Sequence, residues 1–333
     1  MAHNQDNLTV AQVKPGETVA ARAGAQALSL LAAPINAAVL RALADAPRSL
    51  FGLRRAVDSP PQTTMRARIR NLVETGIVER HRRDSFPGHV EYELAGRGRE
   101  LLFVTDAATA WLASCPEGPT PFASGAARSA LKALVGGWGT GMVHMLASRP
   151  LSLTELDATI PSVSYPSLER RLGAMRHEGL VEPLASQSRG TPYLVSDWLR
   201  RAVAPLAAAI RWELRRSPDE APALVDADIE AAFLLALPLI RLPSGRSGAC
   251  RLGMRVERNG GSALVGAMAS VRDGKVEACQ PGLRGSADCW ATGTPGAWFD
   301  AMLDGNPGAL SCGGSGDLAR EAVSSLREAL VSG

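Results

Sequence analysis

Apolar positions in the first two-thirds of the chain follow a helical rhythm that occurs twice. Val39, Leu40 and Leu43 fall on one helical face, as do Met142, Val143 and Leu146 further along. A shift of 103 positions superimposes the two segments. It carries Pro47 onto Pro150, Ser49-Leu50-x-x-Leu53 onto Ser152-Leu153-x-x-Leu156, and Gly76-Ile77-Val78-Glu79 onto Gly179-Leu180-Val181-Glu182. The polar identities Ser49/Ser152 and Glu79/Glu182 point to a duplicated unit. Each copy predicts a first helix ended by proline and a short second helix capped by Ser49 or Ser152. A proline-bearing turn then leads to a third helix closed by Gly76 or Gly179. Two strands follow, Ile77 to Arg82 and Val90 to Leu94 in the first copy, Leu180 to Ala185 and Thr191 to Val195 in the second. Their polar tips hold Pro87-Gly88 and Arg189-Gly190. A long helix closes each copy, Arg97 to Ala113 or Asp197 to Arg216.

Three helices and a hairpin make a winged helix-turn-helix. Through Arg66-Ala67-Arg68-Ile69-Arg70-Asn71-Leu72, Glu74-Thr75-Gly76-Ile77-Val78, Leu168-Glu169-Arg170-Arg171-Leu172 and His177-Glu178-Gly179-Leu180-Val181, the chain resembles the HxlR/MarR-like group of bacterial winged-helix regulators. The resemblance implies DNA binding, with regulators of this group working as homodimers on two half-sites. A tandem pair could stand in for such a dimer, so a homodimer and an intramolecular pseudo-dimer are both open. On the third helix, Met65, Ile69, Leu72 and Val73 share the inner stripe. The opposite face carries Thr63, Thr64, Ala67, Arg70 and Asn71, flanked by Arg66 and Arg68. Arginine pairs bidentately with guanine and asparagine with adenine. The wing adds Arg80, Arg82 and Arg83. In the second copy Glu169, Gly173 and Ala174 replace Arg66, Arg70 and Asn71, which leaves Ser164, Tyr165, Ser167, Arg170, Arg171 and Arg189 as candidates. The alternative for all these arginines is a solvated helix face.

Beyond residue 216 the pattern changes. A linker at 217–225 precedes an apolar helix from Asp226 through Phe233, Leu237 and Leu239. Strands at Cys250–Glu257, Ser262–Val271, Lys275–Cys279 and Ala287–Gly293 follow, with Asn259-Gly260-Gly261 and Asp273-Gly274 as hairpin turns. A helix Pro295–Asp304, a strand Ala309–Cys312 and a helix Asp317–Val331 close the chain. With Trp290-Ala291-Thr292-Gly293-Thr294-Pro295-Gly296-Ala297-Trp298-Phe299, this order resembles the sterol carrier protein fold. That family binds apolar molecules between sheet and helices. The resemblance implies a pocket lined by Phe233, Leu237, Met254, Met268, Trp290, Trp298, Phe299 and Met302, against the plainer reading that all eight are core.

The expected fold is therefore α+β: a flexible N-terminus (1–23), winged domains at 24–115 and 124–216, and a sterol-carrier-like domain at 226–333. The net charge of +3 becomes informative once divided along these lines. Residues 36–100 carry +4 and 124–216 carry +5, whereas 217–333 carry −4. A polyanion partner belongs to the first two-thirds. Of 36 basic residues only Lys14, Lys132 and Lys275 are lysines, a bias that genome composition explains as readily as phosphate recognition.

No long apolar run or signal peptide is evident, so a cytoplasmic protein without membrane partners is expected. Cys115, Cys250, Cys279, Cys289 and Cys312 show no zinc spacing. No HExxH, GxSxG or Walker motif occurs, no cofactor or metal is implied, and an enzyme is not expected. The leading expectation is a transcriptional regulator that binds double-stranded DNA and senses an apolar small molecule through its last domain. The alternative is a drug- or lipid-sequestering protein whose winged domains contact proteins.

Overall fold

The computed structural model describes residues 22–83, 89–185, 190–215, 224–258, 261–315 and 317–331. Residues 1–21 of the expected flexible N-terminus, the hairpin tips with Pro87-Gly88 and Arg189, and most of the 217–225 linker lie outside them. Arg22 and Ala23, expected to be flexible, are instead packed, with Ala23 buried and Arg22 paired with Asp228 at 2.7 Å. No single helix among the described residues is long and apolar enough to cross a membrane.

The first unit runs α1 (Ala25–Leu31), α2 (Pro34–Asp45), β1 (Arg48–Ser49), α3 (Leu50–Ala56), α4 (Gln62–Glu74), β2 (Val78–Arg83), β3 (His89–Leu94) and α5 (Gly96–Ala113). Its antiparallel sheet has the order β1-β3-β2. The second runs α6 (Gly125–Gly139), α7 (Met142–Ser148), α8 (Leu153–Thr159), α9 (Tyr165–His177), β4 (Val181–Pro183), β5 (Tyr193–Val195), α10 (Asp197–Arg201) and α11 (Val203–Leu214). The bounds of α3 and α4 reappear in α8 and α9 at an offset of 103; after the shorter second hairpin the offset becomes 101.

Local chemistry explains the shared bounds. Ser49 accepts the amide of Gly52 and Ser152 that of Glu155, each capping the following helix. In the second unit Glu155 returns a bond to the Ser152 amide, completing a capping box. The Ser152 amide and hydroxyl both donate to the Glu155 carboxylate at 2.8 Å, and these two bonds, then Arg149, hold that carboxyl below its usual range. Gly76 and Gly179, at φ of 67° and 70°, turn the chain out of α4 and α9.

The long helix expected over 197–216 is broken at Ala202 into α10 and α11. Pro205 has no amide to give the carbonyl of Arg201, and the Ala202 amide turns to Leu199 and Arg200.

The third unit begins with α12 (Asp226–Ala236). It continues with β6 (Gly248–Arg258), β7 (Gly261–Arg272), β8 (Lys275–Pro281), β9 (Cys289–Gly293), α13 (Pro295–Phe299), β10 (Ser311–Gly314) and α14 (Leu318–Val331). The sheet order is β10-β9-β6-β7-β8, with β6 and β9 parallel and the other neighbours antiparallel. The helix expected to continue to Asp304 widens after Phe299 into a π-turn over 300–304. One apolar core runs through all three units.

The first two units meet along α5 and α11 in a pseudo-twofold arrangement. Under the offset of 101, Trp111 corresponds to Trp212 and Arg97 to Trp198. The Trp111 indole N–H donates to the Trp198 carbonyl at 2.9 Å, and the Trp212 indole N–H donates to the Arg97 carbonyl at 2.9 Å. Trp198 stacks on Trp111 with centroids 4.7 Å apart, while the Arg97 guanidinium lies 4.5 Å above Trp212. Each contact from position i to j recurs from j to i, as at an isologous dimer interface. Helix α1 likewise packs on α6, whose middle is its counterpart. Glu213 of α11 caps α1 by accepting the amides of Gly24 and Ala27.

Candidate nucleic-acid interface

Helix α4 reaches the surface through a tight turn. Asp58 and Ser59 take left-handed conformations, and Arg54 donates to the Pro60 carbonyl. Met65, Ile69 and Leu72 lock its inner face into the core. Thr63, Arg66, Ala67, Arg68, Arg70 and Asn71 are exposed and Thr64 is half-buried. Among the described residues, Arg66, Arg68 and Arg70 have no acidic partner within ion-pair distance. The helix therefore shows solvent a ridge of three unneutralised guanidinium groups with threonine and asparagine between them, chemistry suited to base edges and phosphates.

The wing continues this ridge only in part. Arg80 and Arg82 are exposed on the face of β2 that they share. The side chain of Arg83 lies outside the described residues. On the other face Glu79 stands opposite Glu93. His81 sits between them, 3.4 and 3.0 Å from their carboxylates, and His89 lies 3.1 Å from Glu91. Both histidines are engaged by glutamates rather than left to face a polyanion. Glu79, His81 and Glu93 also bring three metal-capable atoms within 4.8 Å of one another. Cross-strand register, which sequence spacing does not show, assembles them.

The second unit presents a poorer face. Ser164, Tyr165 and Arg170 are exposed at α9, but Arg171 is not free. Its guanidinium donates to the Gly136 carbonyl at 3.0 Å and its Nε to the Ser167 hydroxyl at 3.3 Å. Expected to face DNA, Arg171 and Ser167 instead tie α9 to the end of α6. Arg189 lies outside the described residues.

The eight residues expected to line an apolar pocket divide across the sheet. Phe233, Leu237, Met254, Trp298, Phe299 and Met302 belong to the core on the helix-covered face. Phe233 meets Trp298 edge-on at 4.9 Å, and the Trp298 indole donates to the Gly253 carbonyl. Met268 and Trp290 are both registered against Arg251, which alternates with the inward-facing Cys250 and Leu252. They consequently lie on the opposite face, where Trp290 is 38% exposed. The eight cannot line one pocket, because neighbouring strand positions point to opposite sides.

Sequence reasoning missed the tryptophan set at α5 and α11, although the 101-residue spacing of Trp111 and Trp212 was visible. It also missed a cavity of about 290 Å³ between α5, α11 and the third unit.

Residues 33–117 match the HxlR-like helix-turn-helix family. This segment spans α2 to α5 and includes α4 and the first wing. Among solved structures, diamide-treated YodB from B. subtilis is 28% identical, with the alignment covering 26% of this chain and 85% of that chain at a TM-score of 0.25. A MarR-family transcriptional regulator from Enterococcus faecalis V583 is 21% identical, covering 31% and 89% at a TM-score of 0.25. No curated protein matches the chain. The chain thus carries an HxlR-like helix-turn-helix domain, a class of domain found in DNA-binding transcriptional regulators.

Proposed function

We propose that this protein is a ligand-responsive DNA-binding transcriptional regulator in which two winged units of one polypeptide play the part of the two halves of a dimer. The observation that carries the reading is the unpaired arginine ridge of α4 within the HxlR-like segment. The reciprocal tryptophan bonds of α5 with α10 and α11 support the pseudo-dimer. In this reading Thr63, Thr64, Arg66, Arg68, Arg70 and Asn71 enter the major groove, and Arg80, Arg82 and Arg83 hold the backbone. Ser164, Tyr165 and Arg170 add weaker contacts from α9. The acidic third unit stays off the duplex and supplies part of the effector response.

The test is duplex selection from a random pool, followed by titration across salt concentration. About six phosphate contacts give a log–log slope near −5. Arg70→Ala relaxes sequence preference, whereas Arg82→Ala weakens all duplexes alike. Light scattering of the complex reports one chain per minimal duplex. Weak, salt-insensitive binding to every selected duplex would refute the reading.

A further inference from the structure

We propose that the cavity between α5, α11 and the third unit binds a small apolar monocarboxylate. At about 290 Å³ it suits a molecule of one or two rings. Its space comes from small residues: Ala107 and Ala110 on α5 and Ala204 and Ala208 on α11. Trp111 forms part of the wall and cannot swing away, because its indole bonds to Trp198 and its ring is stacked. The third unit adds Leu303 and Leu330 to the wall of this half-open cleft.

Charge at the rim selects the ligand class. Asp304 is neutralised by Arg211 at 2.6 Å and Asp106 by Arg41 at 3.1 Å. Arg201 is exposed and has no acidic partner among the described residues. An apolar cleft with one unbalanced guanidinium at its edge complements a hydrophobic body bearing one carboxylate. Phe103, 64% exposed at the same rim, offers further apolar surface for such a body to cover. The bound molecule would touch all three units at once. This gives the ligand-responsive part of the regulator reading a physical site, away from the eight residues first considered.

The experiment is calorimetric titration of the full chain without DNA, using 1-naphthoate and the neutral 1-naphthalenemethanol. Naphthoate is expected to saturate a single site. Arg201→Gln should weaken naphthoate about tenfold or more and leave the alcohol unchanged. Ala107→Leu, checked for folding by circular dichroism, should abolish both. The surface change Arg201→Gln keeps the test decisive if Ala107→Leu misfolds. Absence of saturable naphthoate binding, or binding that survives Ala107→Leu in a folded protein, overturns the site. Naphthoate affinity unchanged by Arg201→Gln overturns the carboxylate assignment. Duplex binding measured in parallel keeps a failure of this site distinct from a failure of the regulator reading.

Discussion

Replacing Trp111 by phenylalanine tests whether the reciprocal tryptophan contacts hold the first two units together. The substitution keeps an aromatic ring but removes the indole N–H that reaches the Trp198 carbonyl. That carbonyl sits at the break between α10 and α11, where the Ala202 amide turns to Leu199 and Arg200 instead. Leaving it without the indole donor in a site where Trp111 is 3% exposed costs about 1–3 kcal/mol. Losing part of the stack on Trp198 adds about 0.5–1.5 kcal/mol. The expected destabilisation is therefore about 1.5–4.5 kcal/mol. Trp212→Phe removes the symmetry-related bond, but its acceptor, the Arg97 carbonyl, lies in the first turn of α5 and keeps its place in the helical ladder. Its expected cost is lower, about 1–2 kcal/mol including the weakened contact with Arg97. Urea unfolding followed by tryptophan fluorescence and circular dichroism measures both, read as midpoint shifts at constant slope. A cost below about 1 kcal/mol for Trp111→Phe, or a larger cost for Trp212→Phe, refutes the reasoning.

Arg68 and Arg171 occupy equivalent positions but differ in their partners. Arg68→Ala should weaken duplex binding with little change in stability, while Arg171→Ala should cost about 1 kcal/mol of stability and leave duplex binding almost intact; mobility-shift and urea titrations separate the two. Asp228, buried against Arg22 at 2.7 Å, has its carboxyl pushed up to about 6 by burial. The folded state thus holds a proton that the unfolded state releases near pH 4, so this contribution to stability is full below pH 4 and lost as pH rises through 6. Asp228→Asn should flatten that fall, seen by comparing urea midpoints at pH 4.5 and 7. Ser152→Ala removes the acceptor for the Glu155 amide and should lower the melting temperature through a loss of about 1 kcal/mol.

The matching bounds of α3 and α4 with α8 and α9 were legible because their signals are local: cap serines, turn glycines and apolar stripes are written into consecutive residues. The exposed ridge of α4 was legible too, since helical period alone separates Met65, Ile69 and Leu72 from the arginines. What failed to show depends on register or on contacts between distant segments. Nothing near Trp290 reveals that β9 pairs in parallel with β6, a pairing that sets Trp290 beside Arg251 and away from Trp298. The cavity at Arg201 needs three segments far apart in sequence, so no window of residues could disclose it.

Helices α4 and α9 show how two segments with matching bounds can put an arginine at the same position to different use. In the second unit the glycines before Trp138 let α9 approach α6 closely: a Cβ on Gly137 would lie 2.6 Å from the Met175 sulfur. That approach brings the Gly136 carbonyl within reach of Arg171, and the guanidinium folds inward to meet it. The counterparts of Gly136 and Gly137 are Ala33 and Pro34, where the first unit breaks its helix, and Arg68 is left facing solvent. One arginine at one repeat position thus serves packing in one copy and stays available to a polyanion in the other. Part of the +5 charge of residues 124–216 is thus committed to the fold rather than to a polyanion surface. On the regulator proposed above, base discrimination concentrates on one half of the operator and the second half contributes mostly salt-dependent affinity, which duplex selection reads as fixed bases on one side only.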